Sequence, residues 1–125
     1  MAQQEIPLEW RKTVCAILAS DDERLIWWEP TGRKRYDAIP GCDWTYEAHE
    51  AFRNYLSLPN PTGCHKVMDE PPGETYDFFF QFKGRKFYGK ILLRTDRKRI
   101  VIFSAHLPEW EKLSCEMEDD KGKRK

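Results

Sequence analysis

Apolar positions recur in two different rhythms along this chain, and the change of rhythm divides it. In the first half Trp10, Val14, Ile17 and Leu18 stand at i, i+4, i+7 and i+8, the spacing of one helix face. Pro7, whose missing N–H costs nothing at a first helical position, opens a predicted helix from Pro7 to Leu18. A β-prone segment, Arg24–Trp28, follows, then Pro30-Thr31-Gly32 and the basic-aromatic cluster Arg33-Lys34-Arg35-Tyr36, read as a surface turn or short helix. Past the break at Pro40-Gly41, Asp43 is a candidate N-cap for a second helix over Trp44–Ser57. Its stripe of Ala48, Ala51, Phe52, Tyr55 and Leu56 needs an apolar partner, and His49 falls off the stripe as a solvated position.

After the turn-rich loop Leu58–Gly63 the period shortens to two. Cys64–Met68 reads as a first strand, and the runs Thr75–Phe82, Lys86–Leu93 and Arg99–His106 are separated by Lys83-Gly84-Arg85 and Thr95-Asp96-Arg97-Lys98, the punctuation of a β-meander. The predicted fold is α+β: an antiparallel sheet with two helices packed on one face. Parity sorts the strands into faces. Phe87, Ile91 and Leu93 face the helices, and Tyr88, Lys90 and Arg94 face away with Leu92. In the last run strict alternation puts Val101, Phe103 and Ala105 on one side, and Ile100, Ile102, Ser104 and His106 on the other. Residues 1–115 make one domain, and the mixed charges of 116–125 predict a disordered tail.

A 40% hydrophobic and 14% aromatic composition in 125 residues supports a packed core and excludes a disordered chain. No apolar run nears the ~20 residues of a membrane span, and no basic-then-apolar leader opens the chain, so a cytoplasmic protein with no membrane partner is expected. Cys15, Cys42, Cys64 and Cys115 lack any CxxC pairing and are expected as reduced thiols. A zinc set of Cys42, His49, Cys64 and His65 matches no standard spacing, and neither metal nor cofactor is expected. Gly-rich phosphate loops, serine-nucleophile elbows and HExxH helices are all missing from the sequence.

The 21 basic and 21 acidic residues cancel, but between Lys83 and Arg99 eight cations (Lys83, Arg85, Lys86, Lys90, Arg94, Arg97, Lys98, Arg99) stand against Asp96 alone. Such a strip can hold phosphate. It can equally be solvated turn tips that deter edge pairing, the better reading for Lys83, Arg85, Arg97 and Lys98.

The helix at Trp44–Ser57, His65-Lys66-Val67, Pro71–Gly73, Tyr88-Gly89-Lys90-Ile91 and Ile102-Phe103-Ser104-Ala105-His106 together resemble the RelE-superfamily toxins of bacterial type II toxin–antitoxin systems, most closely the MqsR-type mRNA interferases. The likeness spans roughly residues 40 to 107. It implies a sheet with helices on one face, RNA cleavage without metal, and a cognate antitoxin protein as partner. Position by position it points to Lys66, Tyr88 and Lys90, with His106 where the family often carries a basic residue.

The residue types suit that chemistry. With the ribose 2′-oxygen as nucleophile, His106 can move a proton near neutral pH, Lys90 and Lys66 can stabilise the phosphorane, and Tyr88 can act as positioner or base partner. Arg94 is the candidate phosphate clamp, with Lys86, Arg85 and Arg35 as further RNA contacts. Each residue alone also has a bland reading, as packing or as a snorkelling cation. Two other function classes use the same features: a module that holds nucleic acid without cutting it, and a protein-interaction protein, phage- or mobile-element-borne, anchored by Trp27, Trp28 and Trp110.

Overall fold

The computed structural model of the chain describes residues 3–117. In chain order the elements are β1 (Gln4–Glu5), α1 (Leu8–Ser20), β2 (Ile26–Trp28), α2 (Pro30–Asp37), α3 (Thr45–Leu56), β3 (Thr62–Asp69), β4 (Pro72–Phe82), β5 (Arg85–Arg94) and β6 (Ile100–His106), followed by one helical turn over 114–117. The fold is α+β, and its six-stranded sheet is mixed, in the order β1-β3-β4-β5-β6-β2. The four long strands pair antiparallel, and the departure from the expected all-antiparallel sheet is β2, which lies parallel to β6 through Ile26↔Ile100 and Trp28↔Ile102. A three-residue strand entering from the helical half can run parallel because α2, α3 and three strands separate it from β6 in the chain.

The helices cover one sheet face. Trp10 of α1 meets Tyr76 edge-on at 4.9 Å, and Phe52 of α3 lies 4.7 Å from Phe80 and 6.0 Å from Phe78. Gly89, bare of a side chain, is what lets Phe52 lie against β5, since a Cβ there would stand 2.6 Å from its ring. Arg11 is buried between the helices, its guanidinium donating to the Ile6, Leu56 and Leu58 carbonyls. It satisfies the open C-terminal carbonyls of α3 and complements that helix's negative end.

Helix boundaries moved slightly. Pro7 and Trp44, rather than Asp43, occupy the N-cap positions of α1 and α3, neither with a side-chain cap. Arg33–Tyr36 are helical within α2, where Glu29 caps the first turn by accepting from the Thr31 and Gly32 amides. Those two hydrogen bonds hold the Glu29 carboxyl below its ordinary pKa.

The strict alternation expected in β6 fails at one residue. Ile91 pairs with Ile102, but Lys90 pairs with Ser104, so Phe103 is an extra residue bulged from the ladder. Ile100, Ile102 and Ala105 therefore join the helix-side core, and Val101, Ser104 and His106 turn to the opposite, outer face. Beside the bulge α2 takes over from β2 in covering β6. It comes so close at Gly32 that a Cβ there would sit 2.1 Å from the Phe103 carbonyl oxygen.

The expectation of four reduced thiols is overturned for two of them. Cys64 on β3 and Cys115 on the 114–117 turn form a disulfide, Cα atoms 5.6 Å apart, because the chain after His106 returns across the outer face to the far side of the sheet. Cys15 and Cys42 remain free. Of the charged tail expected over 116–125, Glu116 and Met117 belong to that helical turn, and 118–125 lie outside the described residues.

Gly32→Ala sets two effects against each other. Alanine gains about 1 kcal/mol of helix propensity, but its methyl meets main chain, which cannot swing aside as a side chain would. The clash should win, with a net loss of about 1–3 kcal/mol in urea unfolding. An unchanged midpoint would show that α2 does not seat against the bulge.

Candidate functional site

The outer face is built from cross-strand rows. Tyr88 pairs with Phe79 on one side and His106 on the other, and one step along, Asp77, Lys90 and Ser104 line up, with Cys64 beyond Asp77. The chain then closes over this surface. Arg35, Phe79, Tyr88, Ser104 and His106 form one wall of a cleft of about 270 Å³, and residues from Pro108 to Met117 form the other.

His106 is only 7% exposed. Its Nδ1 lies 2.8 Å from the Leu107 carbonyl oxygen, which can only accept, so Nδ1 carries the hydrogen and the neutral ring keeps its lone pair on Nε2. Burial pushes the imidazole below its ordinary pKa, the Leu107 carbonyl opposes that, and Arg35 lowers it further against an opposing Glu109. The ring leans on Tyr88 at 5.4 Å. At neutral pH His106 is thus held as a neutral base of defined tautomer.

Tyr88 cannot share that role. Its hydroxyl donates to Asp77 Oδ2 at 2.8 Å, and burial, then the Asp77 charge and that hydrogen bond, push the phenol well above its usual range. It positions, and does not accept protons. Lys90 is half-buried with its Nζ 5.2 Å from the centre of the Phe103 ring. Burial lowers its pKa, Asp77 opposes, and Lys66 adds to the lowering.

The other expected residues scatter. Lys66, an exposed residue of β3, lies on the adjoining row, paired with Thr75, near enough for its charge to be felt at Lys90. Lys86 sits two residues before Tyr88, its Nζ 4.0 Å over the Phe79 ring. Arg35 reaches the cleft from α2 and forms an ion pair with Glu109. Arg94, paired with Gly73 six residues along β5 from Tyr88, is about 20 Å away at strand rise and lines other grooves with Arg99 and Pro72. Arg85, at the β4–β5 turn, pairs with Phe82 and shares its helix-side parity. Neither belongs to the cleft.

Asp77 was missed by the sequence reading. It is 4% exposed and accepts from both Tyr88 and Ser114, the latter at 2.9 Å. A lone acid inside Tyr76-Asp77-Phe78-Phe79-Phe80 was the available signal, because a carboxylate is not tolerated mid-strand among aromatics without partners. His49, expected in solvent, is 5% exposed, with Nδ1 2.8 Å from Asp21 Oδ1 and Nε2 accepting from the Trp28 indole N–H at 3.1 Å. That leaves it no lone pair for a ligand, and with Cys64 in a disulfide the drawn zinc set does not assemble. Trp28 is likewise engaged, whereas Trp27 and Trp110 are exposed.

Both lowered histidines make stability depend on pH. A folded-state pKa below the unfolded value of about 6.5 means that the unfolded chain binds protons first. The contribution is complete above pH 6.5 and is lost as pH falls through the folded values. His106→Gln should flatten part of this slope in urea unfolding between pH 7 and 5. An NMR titration placing the His106 pKa above 6.5 would contradict the site geometry. Separately, Tyr88→Phe should cost about 1–3 kcal/mol by leaving Asp77 short of a donor, measurable in the same unfolding assay.

The chain matches no protein-family model, and neither a curated protein nor a solved structure matches it.

Proposed function

We propose that the outer sheet face is the active site of a metal-independent endoribonuclease of the RelE superfamily, similar to MqsR-type mRNA interferases and neutralised by a cognate antitoxin. The observation that carries this reading is His106: an imidazole of fixed tautomer, depressed in pKa, set in a cleft beside the Arg35 cation and one pairing row from Lys90. His106 Nε2 takes the proton of the ribose 2′-hydroxyl as the 2′-oxygen bonds to phosphorus. The bond from phosphorus to the 5′-oxygen breaks, and the His106 imidazolium returns its proton to that oxygen by way of solvent, leaving a 2′,3′-cyclic phosphate and the neutral imidazole. Lys90 and Arg35 stabilise the phosphorane charge, and Lys86 on β5 and Lys66 on β3 extend the positive surface. Tyr88 holds Asp77 and buttresses the imidazole.

An antitoxin with an acidic segment would complement the cationic strip of β5, and an mRNA substrate implies the cytoplasm. Among the described residues no helix is long and apolar enough to cross a membrane. The rival reading, RNA held without cutting, shares the cations but not the need for a basic Nε2.

Purified protein kept reduced with dithiothreitol should cleave RNA in EDTA, alone or once ribosomes are supplied, to cyclic-phosphate ends, and a 2′-deoxy residue at the cut site should block it. His106→Ala should slow single-turnover cleavage by about 10²-fold or more with little loss of RNA binding. Lys90→Ala should weaken both and reduce the salt dependence of binding. RNA bound at micromolar reduced protein but never cut would establish the binding module instead.

A further inference from the structure

Residues 107–117 leave β6 at His106 and cross the outer face to β3, where Cys115 is bonded to Cys64. Leu107, at the segment's start, packs against the helix-side core, and beyond it little apolar surface is buried. Past Leu107, Leu113 is the one fully buried residue of the segment, and it lies outside the helix-side core. Ser114 donates to Asp77, Arg35 pairs with Glu109, and Gln3 reaches Glu116 at 3.2 Å. Yet this segment supplies Pro108, Glu109, Trp110, Lys112, Ser114 and Met117, more than half of the cleft wall. The imidazole behind it is 7% exposed, too little for a base that must meet a ribose hydroxyl. A segment with so little buried apolar surface opens locally at far less cost than global unfolding, unless a covalent bond closes it.

We propose that Cys64–Cys115 is a thiol–disulfide exchange site, and that its cleavage by a dithiol reductant frees residues 107–117 as a strap and uncovers the cleft. One thiolate of the reductant attacks Cys115 Sγ, on the less buried residue of the pair. The sulfur–sulfur bond breaks, and its electron pair leaves on Cys64 Sγ, which takes up a proton. The reductant's second thiolate then attacks its own sulfur in the mixed disulfide, releasing Cys115 as a thiolate that is protonated in turn. The dithiol has become a disulfide, and two electrons and two protons have passed to the protein. Ser114 then no longer need hold Asp77, and His106 Nε2 opens to solvent. The consequence for activity rests on the ribonuclease reading: the oxidised chain is the closed form and the reduced chain the cutting form.

The test is amide hydrogen exchange read by mass spectrometry on the full chain, purified without reductant, before and after dithiothreitol, with Cys64→Ser and Cys115→Ser alongside. Thiol alkylation reports the redox state, and RNA cleavage is assayed in parallel. Reduction should speed exchange in 107–117 at least tenfold and leave β4 and β5 unchanged, and both variants should show the open pattern without dithiothreitol. Unchanged exchange in 107–117 after the bond is cut, exchange rising together across the sheet, or Cys64 and Cys115 alkylating before any reductant is added would each overturn the strap. Release of 107–117 with no cleavage in either state keeps the strap and removes the ribonuclease reading. Equal cleavage in both states with an unmoved segment does the reverse.

Discussion

One extra residue in β6 decides what each face of the sheet can be. With unbroken alternation Ile100, Ile102, Ser104 and His106 would share a side, so either two isoleucines would face water or an imidazole and a hydroxyl would enter the core. The bulge at Phe103 separates them, sending Ile102 against Ile91 and His106 beside Tyr88. Main-chain packing of Gly32 on the Phe103 carbonyl fixes the bulge from the edge, and the Phe103 ring lies near the Lys90 ammonium. The kink, the seat of α2 and the chemistry of the outer face are one arrangement, as is common where bulges re-aim side chains.

The cost of that face is a nearly buried carboxylate. Asp77 is bearable because Tyr88 and Ser114 both donate to it and the Lys90 cation stands opposite in the ladder. Those partners have effects of their own: burial and Asp77 push the phenol up and out of acid–base work, and the acid opposes the lowering that burial imposes on Lys90. Burial acts on His106 in the opposite sense to its effect on a phenol, because the charged form of imidazole is the cation. One environment therefore moves three titratable groups apart: the phenol up, the Lys90 ammonium and the His106 imidazole down.

Much of this was legible in the sequence where periodicity was unbroken. The helix stripe Ala48, Ala51, Phe52, Leu56 and the parity of β5 follow from 3.6- and 2-residue periods, and both describe the structure. The face of β6 was not legible, since a bulge changes register without changing composition. The parallel β2 was hidden for a related reason: three residues carry too little pattern to reveal a partner. The disulfide joins positions 51 residues apart, and nothing local to either cysteine marks the other. Arg94 and Arg85 were grouped with Tyr88 by charge and sequence proximity, but strand rise and turn parity put them elsewhere.

The ribonuclease reading requires RNA to meet the protein on the outer face at the Tyr88–His106 row. A titration of reduced, isotope-labelled protein with a short RNA carrying 2′-methoxy groups, which binds but cannot be cut, tests it most directly by amide and imidazole chemical shifts. The largest changes are expected at Tyr88, Lys90, Ser104 and the His106 ring, fading toward Arg94. Changes centred on Trp27, Trp44 and Tyr46, or no saturable change at micromolar RNA in low salt, would contradict it.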